Sequence, residues 1–224
     1  MTAFPSISVV IPARDAALFL REAIESVLAQ AVPVQLILVN DGSTDETSAI
    51  AGSYGAALDR IDQPPLGLGA ARNCGVAGGT SEWIAFLDAD DVWMPDKLML
   101  QLRALEADPA LDLLFGHGVE FVDAAAPPGI VARTEPAPAY VAGTMLARRA
   151  LFDTVGGFSE NGRMGEFIDW YSRVRQSGAR LAMLDDVLFR RRVHANNMTR
   201  LAENRGSHYL DVVRAHLQRR RAEP

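Results

Sequence analysis

The sequence holds one cysteine, Cys74, which excludes an intramolecular disulfide and a cysteine-clustered metal site, so any bound metal must be held by oxygen or imidazole. It has no run of 18 or more apolar residues and no basic leader followed by an apolar stretch, so neither a membrane span nor a signal peptide is expected. A cytoplasmic protein is the expectation. Lysine is nearly absent: of 22 basic residues only Lys97 is not arginine. Basic charge is not in excess either, and the net charge of -6 argues against nucleic acid as a partner. Arginines gather late, at Arg190, Arg191 and Arg192 and again at Arg219, Arg220 and Arg221. Both read as local features, the second as a solvated helix end that leaves room for peripheral contact with a membrane surface.

At 224 residues, with 49% hydrophobic and 22% charged, the chain reads as one compact domain large enough for a continuous core. No internal repeat is evident. Up to about residue 110, short apolar runs alternate with helical patterns, the mark of an α/β protein with a mainly parallel sheet. Ile7 to Ile11 predicts a strand closed by Pro12. Leu20, Ile24, Val27 and Leu28 then share one helical stripe. Val34 to Val39 predicts the next strand, followed by a helix capped by Ser43 or Thr44. A weaker strand lies near Leu58 to Asp62, a glycine-opened helix over Gly67 to Val76, and a strand over Glu82 to Leu87. A helix opened by Pro95 and a strand over Leu113 to Val122 complete a half that spans 1–122. The second half, 123–224, opens with a loop over Asp123 to Ala139, where Ala and Pro crowd. A short strand near Tyr140 to Leu146, a helix from Arg148, a glycine-rich loop, a helix through Trp170, two short strands near Leu181 and Leu188 and a terminal helix follow.

In an open parallel sheet, ligands bind beyond the carboxyl ends of the strands, where loops diverge and helix N-termini present unpaired N–H groups. Here those ends carry Pro12, Ala13, Arg14 and Asp15, then Asn40 and Asp41, then Asp88, Ala89, Asp90 and Asp91. Carboxylates gathered on one edge repel unless a cation neutralises them, which predicts Mn²⁺ or Mg²⁺. An Asp-x-Asp after a buried strand lets one carboxylate bind the ion while the other reaches a sugar hydroxyl of a nucleotide. The ion would bridge the diphosphate and stabilise the leaving group. The plain alternative is a set of solvated turns.

These stretches resemble the family 2 glycosyltransferases. ISVVIPARDAALFLREAIESVLAQ is similar to the family's opening strand and helix, VNDGSTDET to its second strand end, GLGAARNCGVAGGTSEWIAFLDADDVWMPDKL to its central block, and GTMLARRALFDTVGGFSE to the start of its acceptor half. The resemblance implies the GT-A fold, a Rossmann-like mixed and mainly parallel sheet flanked by helices. It implies a nucleotide-sugar donor, with uridine as the nucleotide, and inverting transfer to an acceptor hydroxyl. By that resemblance Asp41 recognises the nucleobase, Pro12, Ala13 and Arg14 line its pocket, Arg72 lies near the diphosphate or the carboxylates, Asp88 meets the ribose and Asp90 binds the metal. Arg14 stands where many relatives carry Asn. RRRVHANN resembles a late histidine segment that returns to the metal, which assigns His194 as a metal or diphosphate contact; a lone histidine after a strand can equally be structural.

In the family the base is the Asp of a Glu-Asp pair, and here the segment MGEFIDWYSRV puts Phe167 in its place. Glu166 is the first substitute and Asp169, three residues on and on the same helical face, the second. Glu166 could instead serve only the helix N-terminus. Phe167, Trp170 and Tyr171 read as core or as acceptor-stacking residues. The acceptor, whether saccharide, lipid-linked sugar, metabolite or peptide, is not legible. The Asp123 to Ala139 and Ser159 to Gly165 loops are expected to help choose it. Three other readings compete: a non-catalytic nucleotide-sugar-binding protein, a haloacid-dehalogenase-type phosphatase and a nicotinamide-binding dehydrogenase.

Overall fold

A computed structural model describes residues 5–160, 165–195 and 197. Its strands are β1 (Ile7–Ala13), β2 (Gln35–Asp41), β3 (Asp59–Gln63), β4 (Trp83–Phe86), β5 (Val92–Trp93), β6 (Leu113–Val122), β7 (Ala137–Ala139), β8 (Leu146–Arg148) and β9 (Leu181–Val193). Its helices are α1 (Leu20–Leu28), α2 (Thr47–Gly52), α3 (Leu68–Gly78), α4 (Lys97–Ala107), α5 (Ala150–Val155) and α6 (Glu166–Gln176). All strands join one sheet in the order β3-β2-β1-β4-β8-β6-β9-β5, with β7 on β6. β3, β2, β1 and β4 run parallel, β8 is antiparallel to its neighbours, and β6 and β9 are again parallel to each other.

Alternation along β1 divides the core. Ile7, Val9, Ile11 and Ala13 face one side, where α1 buries Leu20, Ala23, Ile24 and Val27. Val10 faces the other, with Ala71 of α3 and Phe152, Trp170 and Val174 of α5 and α6. Sheet side chains point alternately to opposite faces and helical ones recur every three or four positions, so both patterns follow from the sequence. The crossing of α3 over β1 depends on Gly75, because a methyl there would meet Val10 Cγ1 at 2.2 Å.

Several expectations are corrected. Leu28 is 40% exposed and Ala23 takes its place in the stripe. Ser43 and Thr44 cap nothing: α2 starts at Thr47 with Glu46 preceding it and no side-chain cap. The Asp123 to Ala139 stretch is not wholly loop, since β7 pairs with β6. The strand expected near Tyr140 to Leu146 is a 3-10 turn over Ala142–Thr144 leading into β8. The strands near Leu181 and Leu188 are one, β9, whose pairing with β6 shifts register between Phe115 and Gly118. β5 went unread because two residues carry no periodicity. The terminal helix and Arg219, Arg220 and Arg221 lie outside the described residues. Among the described residues no helix is long and apolar enough to cross a membrane.

Candidate active site

The parallel registers bring the ends of β1, β2 and β4 level. Pro12 and Ala13 pair with Val39 and Asn40, and Leu87 N donates to Val10 O just before Asp88. A cavity of about 490 Å³ opens there, lined by Pro12, Ala13, Arg14, Asp41, Asp88 and Asp90, together with Glu166 and His194. A second cavity of about 440 Å³ lies beside it and shares Asp88, Asp91, Glu166 and Arg191 with the first.

The strand-end loops hold one another. Asp15 adopts φ 48, a left-handed backbone uncommon outside glycine and asparagine. Its N–H donates to Ser43 Oγ at 3.0 Å, and its Oδ1 accepts from Thr44 N at 2.8 Å. Ser43 and Thr44 therefore lock the β1 loop to the β2 loop. Asp41 is buried, and its carboxylate accepts from Gln63 Nε2 at 2.7 Å, Leu66 N at 2.8 Å and Gly67 N at 2.9 Å. A carboxylate has about four acceptor positions, so one remains for a ligand.

Arg72, on α3, joins the two cavities. Its Nη2 donates to Asp88 Oδ1 at 2.8 Å and its Nη1 to Glu166 Oε1 at 2.6 Å. Burial works against the charge, but Asp88 and Glu166 outweigh it and raise the Arg72 pKa. Nε of Arg72 is a buried donor without a partner. Among the described residues, no hydrogen bond is made to Glu166 Oε2, so one carboxylate oxygen is fixed and the other is open to the cavities.

In the first cavity His194 Nε2 lies 3.1 Å from Asp90 Oδ2, and Asn197 Nδ2 donates to the same oxygen at 3.3 Å. The His194 ring packs on Phe19 with centroids 4.6 Å apart. An edge of about 3 Å is what adjacent ligands make around an ion with bonds of roughly 2.1 Å, so Asp90 and His194 suit a divalent metal. No group of three or more such ligands occurs among the described residues. Two protein ligands fit an ion that takes its other oxygens from phosphate and water. Asp91 is buried beneath; burial, then Asp90 and Asp88, push its pKa well above the carboxylate range. Arg192 steadies this wall, its N–H donating to Asp91 Oδ1 at 2.8 Å, Nε to Asp90 O at 3.0 Å and Nη1 to Asp123 Oδ2 at 3.1 Å, with Glu22 also bound.

Asp169 is not brought to either cavity. Its Oδ2 accepts from Arg173 Nε at 3.1 Å, one turn along α6. Trp170 is fully buried and stacks on Phe152 at 4.7 Å, while Phe167 is 9% exposed and stacks on Tyr171 at 6.2 Å. Both are core residues. The sequence reading passed over Arg191, which lines both cavities. Its signal was strand alternation: Arg190 and Arg192 both lie over the Phe121 ring, so Arg191 faces the other way.

The family model for glycosyl transferase family 2 matches residues 8–158. An uncharacterized glycosyltransferase of Rickettsia prowazekii is 30% identical over 93% of this chain and 70% of its own length. The succinoglycan biosynthesis protein ExoU of Rhizobium meliloti is 28% identical over 86% and 64%. Among solved structures, TarS 1-349 of S. aureus in complex with UDP-GlcNAc superposes with TM-score 0.77 at 20% identity, covering 94% of this chain and 65% of that one. The mannosyltransferase PcManGT of Pyrobaculum calidifontis, in complex with GDP-Man and Mn²⁺, gives TM-score 0.75 at 17% identity, covering 97% and 65%. The shared architecture is the GT-A fold. This chain thus spans about two thirds of the length of each of these four.

Proposed function

This chain belongs to glycosyl transferase family 2, whose model and named relatives are transferases, and from that premise we propose a metal-dependent, inverting transfer of sugar from a nucleotide-diphospho-sugar to an acceptor hydroxyl. The phosphatase and dehydrogenase readings fall with the family assignment. What carries the proposal is that Asp88 and Glu166 line both cavities and are joined through Arg72, an arrangement that supports one carboxylate serving the donor and the other the acceptor where the cavities meet.

The first cavity takes the donor. The acceptor position left on Asp41 suits an N–H of the base, such as N3–H of the uracil that the family resemblance implies, with Pro12, Ala13 and Arg14 along its side. Asp88 has its side chain 39% exposed and can accept from a ribose hydroxyl while Arg72 keeps its other oxygen in place. Asp90 and His194 would hold Mn²⁺ or Mg²⁺, which when bound supplies positive charge to the diphosphate leaving group.

The second cavity takes the acceptor. Glu166 Oε2 accepts the proton of the acceptor hydroxyl as that oxygen bonds to the anomeric carbon; the bond from that carbon to the phosphate oxygen breaks, and nucleoside diphosphate leaves with the electron pair. One displacement inverts the anomeric centre. Phe167 stands at the family's usual base position, and Glu166 one residue earlier, with its carboxylate at the cavity wall, supports an enzyme over a mere binding protein. The test is release of nucleoside diphosphate from UDP- and GDP-sugars, with and without Mn²⁺ and with candidate acceptors. Metal-dependent release supports the proposal; tight donor binding with no release under any condition supports the binding protein instead.

A further inference from the structure

We propose that the second cavity is built for a saccharide acceptor and that Tyr140 is the platform on which its sugar ring stacks. The proposal rests on the transferase reading above and names the acceptor class that reading leaves open. The volume, about 440 Å³, lies within the range of roughly 300–1,000 Å³ that encloses small ligands.

Three aromatic residues line this cavity among those described, and only one offers its ring. Tyr140 is 49% exposed, against 9% for Phe167 and 4% for Phe189. Tyr140 follows β7 directly, and its ring meets the buried Phe115 edge-on at 5.3 Å and Tyr171 at 5.6 Å. Phe115 and Tyr171 thus brace it from behind, so a ligand need not order it. The face of an aromatic ring is electron-rich, and one face of a pyranose presents C–H groups that complement it while the hydroxyls point outward.

Charge selects the same class. Of the cavity's basic groups, Arg72 is bonded to Asp88 and Glu166, and Arg191 is paired with Glu120 at 3.2 Å. Arg133 is exposed, and the three arginines of the lining stand with four acidic residues, Asp88, Asp91, Glu120 and Glu166. Such a site provides many donors and acceptors for hydroxyls but no excess of cations to favour a phosphate-rich or acidic ligand. A neutral, hydroxyl-dense molecule with a flat apolar face answers all three features.

The experiment is saturation-transfer NMR with cellobiose, maltose and chitobiose on the wild type, Tyr140→Phe and Tyr140→Leu. The leucine keeps apolar bulk against Phe115, so folding is retained, but it removes the aromatic face. Binding of at least one disaccharide is expected, with saturation concentrated on ring C–H protons. Tyr140→Phe should keep it. Tyr140→Leu should weaken it about tenfold, the factor that roughly 1.4 kcal/mol represents. In transfer assays the loss should appear in the KM for acceptor rather than in kcat. Equal affinity for the leucine variant overturns the proposal, as does transfer to a peptide or lipid-linked acceptor by a wild type that binds none of the three sugars. Saccharide binding without nucleoside diphosphate release from any donor, with or without Mn²⁺, would instead remove the transferase reading alone.

Discussion

Arg72 Nη1 and Glu166 Oε1 stand 2.6 Å apart, joining side chains separated by 94 positions in the chain. The same guanidinium holds Asp88, so one cation on α3 orients two carboxylates that both line the two cavities. Glu166 is nearly buried, and its charge has no other cation within salt-bridge distance among the described residues.

Arg72→Gln should therefore lower stability by about 3–5 kcal/mol, the cost of leaving one partner of a buried pair behind. Adding Glu166→Gln should recover part of that loss, because the stranded charge is then gone. Denaturant unfolding of the two single variants and the double variant measures it. An unchanged midpoint for Arg72→Gln would show that the bridge is not formed in solution.

Glu166→Gln should reduce transfer by roughly 10²–10⁴-fold while donor binding persists, since the proton acceptor is removed and the amide oxygen can still accept from Arg72 Nη1. Asp169→Asn should stay within a few fold, as its carboxylate serves Arg173 and reaches neither cavity. Nucleoside diphosphate release in the presence of acceptor compares them. The reverse order of effects would hand the role of base to Asp169.

Asp41→Asn swaps one acceptor oxygen for an amide that must face donors from Gln63, Leu66 or Gly67. The segment between β3 and α3 should loosen, at a cost of about 1.5–3 kcal/mol for each hydrogen bond to the charged group that is lost. Melting temperature and donor affinity should fall together. Weakened donor binding at unaltered stability would mean that Asp41 touches the base without bracing the loop.

Lys97 gives a pH signature. It is fully buried, its Nζ donates to Gln101 Oε1 at 2.8 Å and lies 4.1 Å from the Trp93 ring, and burial holds its pKa well below the ordinary 10.5. Between the lowered folded value and 10.5 the unfolded chain binds the extra proton, so stability rises with pH across that window. Relative to Lys97→Met, the wild type should gain stability as pH climbs toward 10.5 and lose it as pH falls through the folded pKa. A pH-independent difference in unfolding free energy between the two would sink this assignment.

Local pattern carried the parallel strands of the first half and failed on parts of the second, for a physical reason. β1, β2 and β4 are short apolar runs buried on both faces, and acidic residues at their ends fall on one edge whatever the rest of the chain does. Asp41, Asp88 and Asp90 were therefore legible, and β6 was read with its observed bounds. β9 looked like two strands because Asp185 and Asp186 interrupt its apolar pattern, yet they are exposed where the strand pairs irregularly with β6. Tyr140 and Arg191 reach the cavities through β7 and β9, whose positions are set by pairing with β6 and not by their own composition. Asp169 shares the helical face expected from its spacing, but its carboxylate pairs with Arg173 and lines neither cavity, a tertiary outcome that spacing alone does not fix.

That irregular pairing has an arithmetic consequence. Leu113 stands opposite Leu181, an offset of 68, while Val122 stands opposite Val193, an offset of 71, so β9 carries three more residues than the length of β6 it accompanies. An odd surplus inverts which side chains of the distal segment point toward the cavities. Deleting a single residue between Met183 and Val187 would leave a strand of ordinary appearance but exchange the faces of Arg191 and Arg192. The wall that carries Asp90 would lose its clamp, and the shared rim would lose its arginine, through a change of parity far from either.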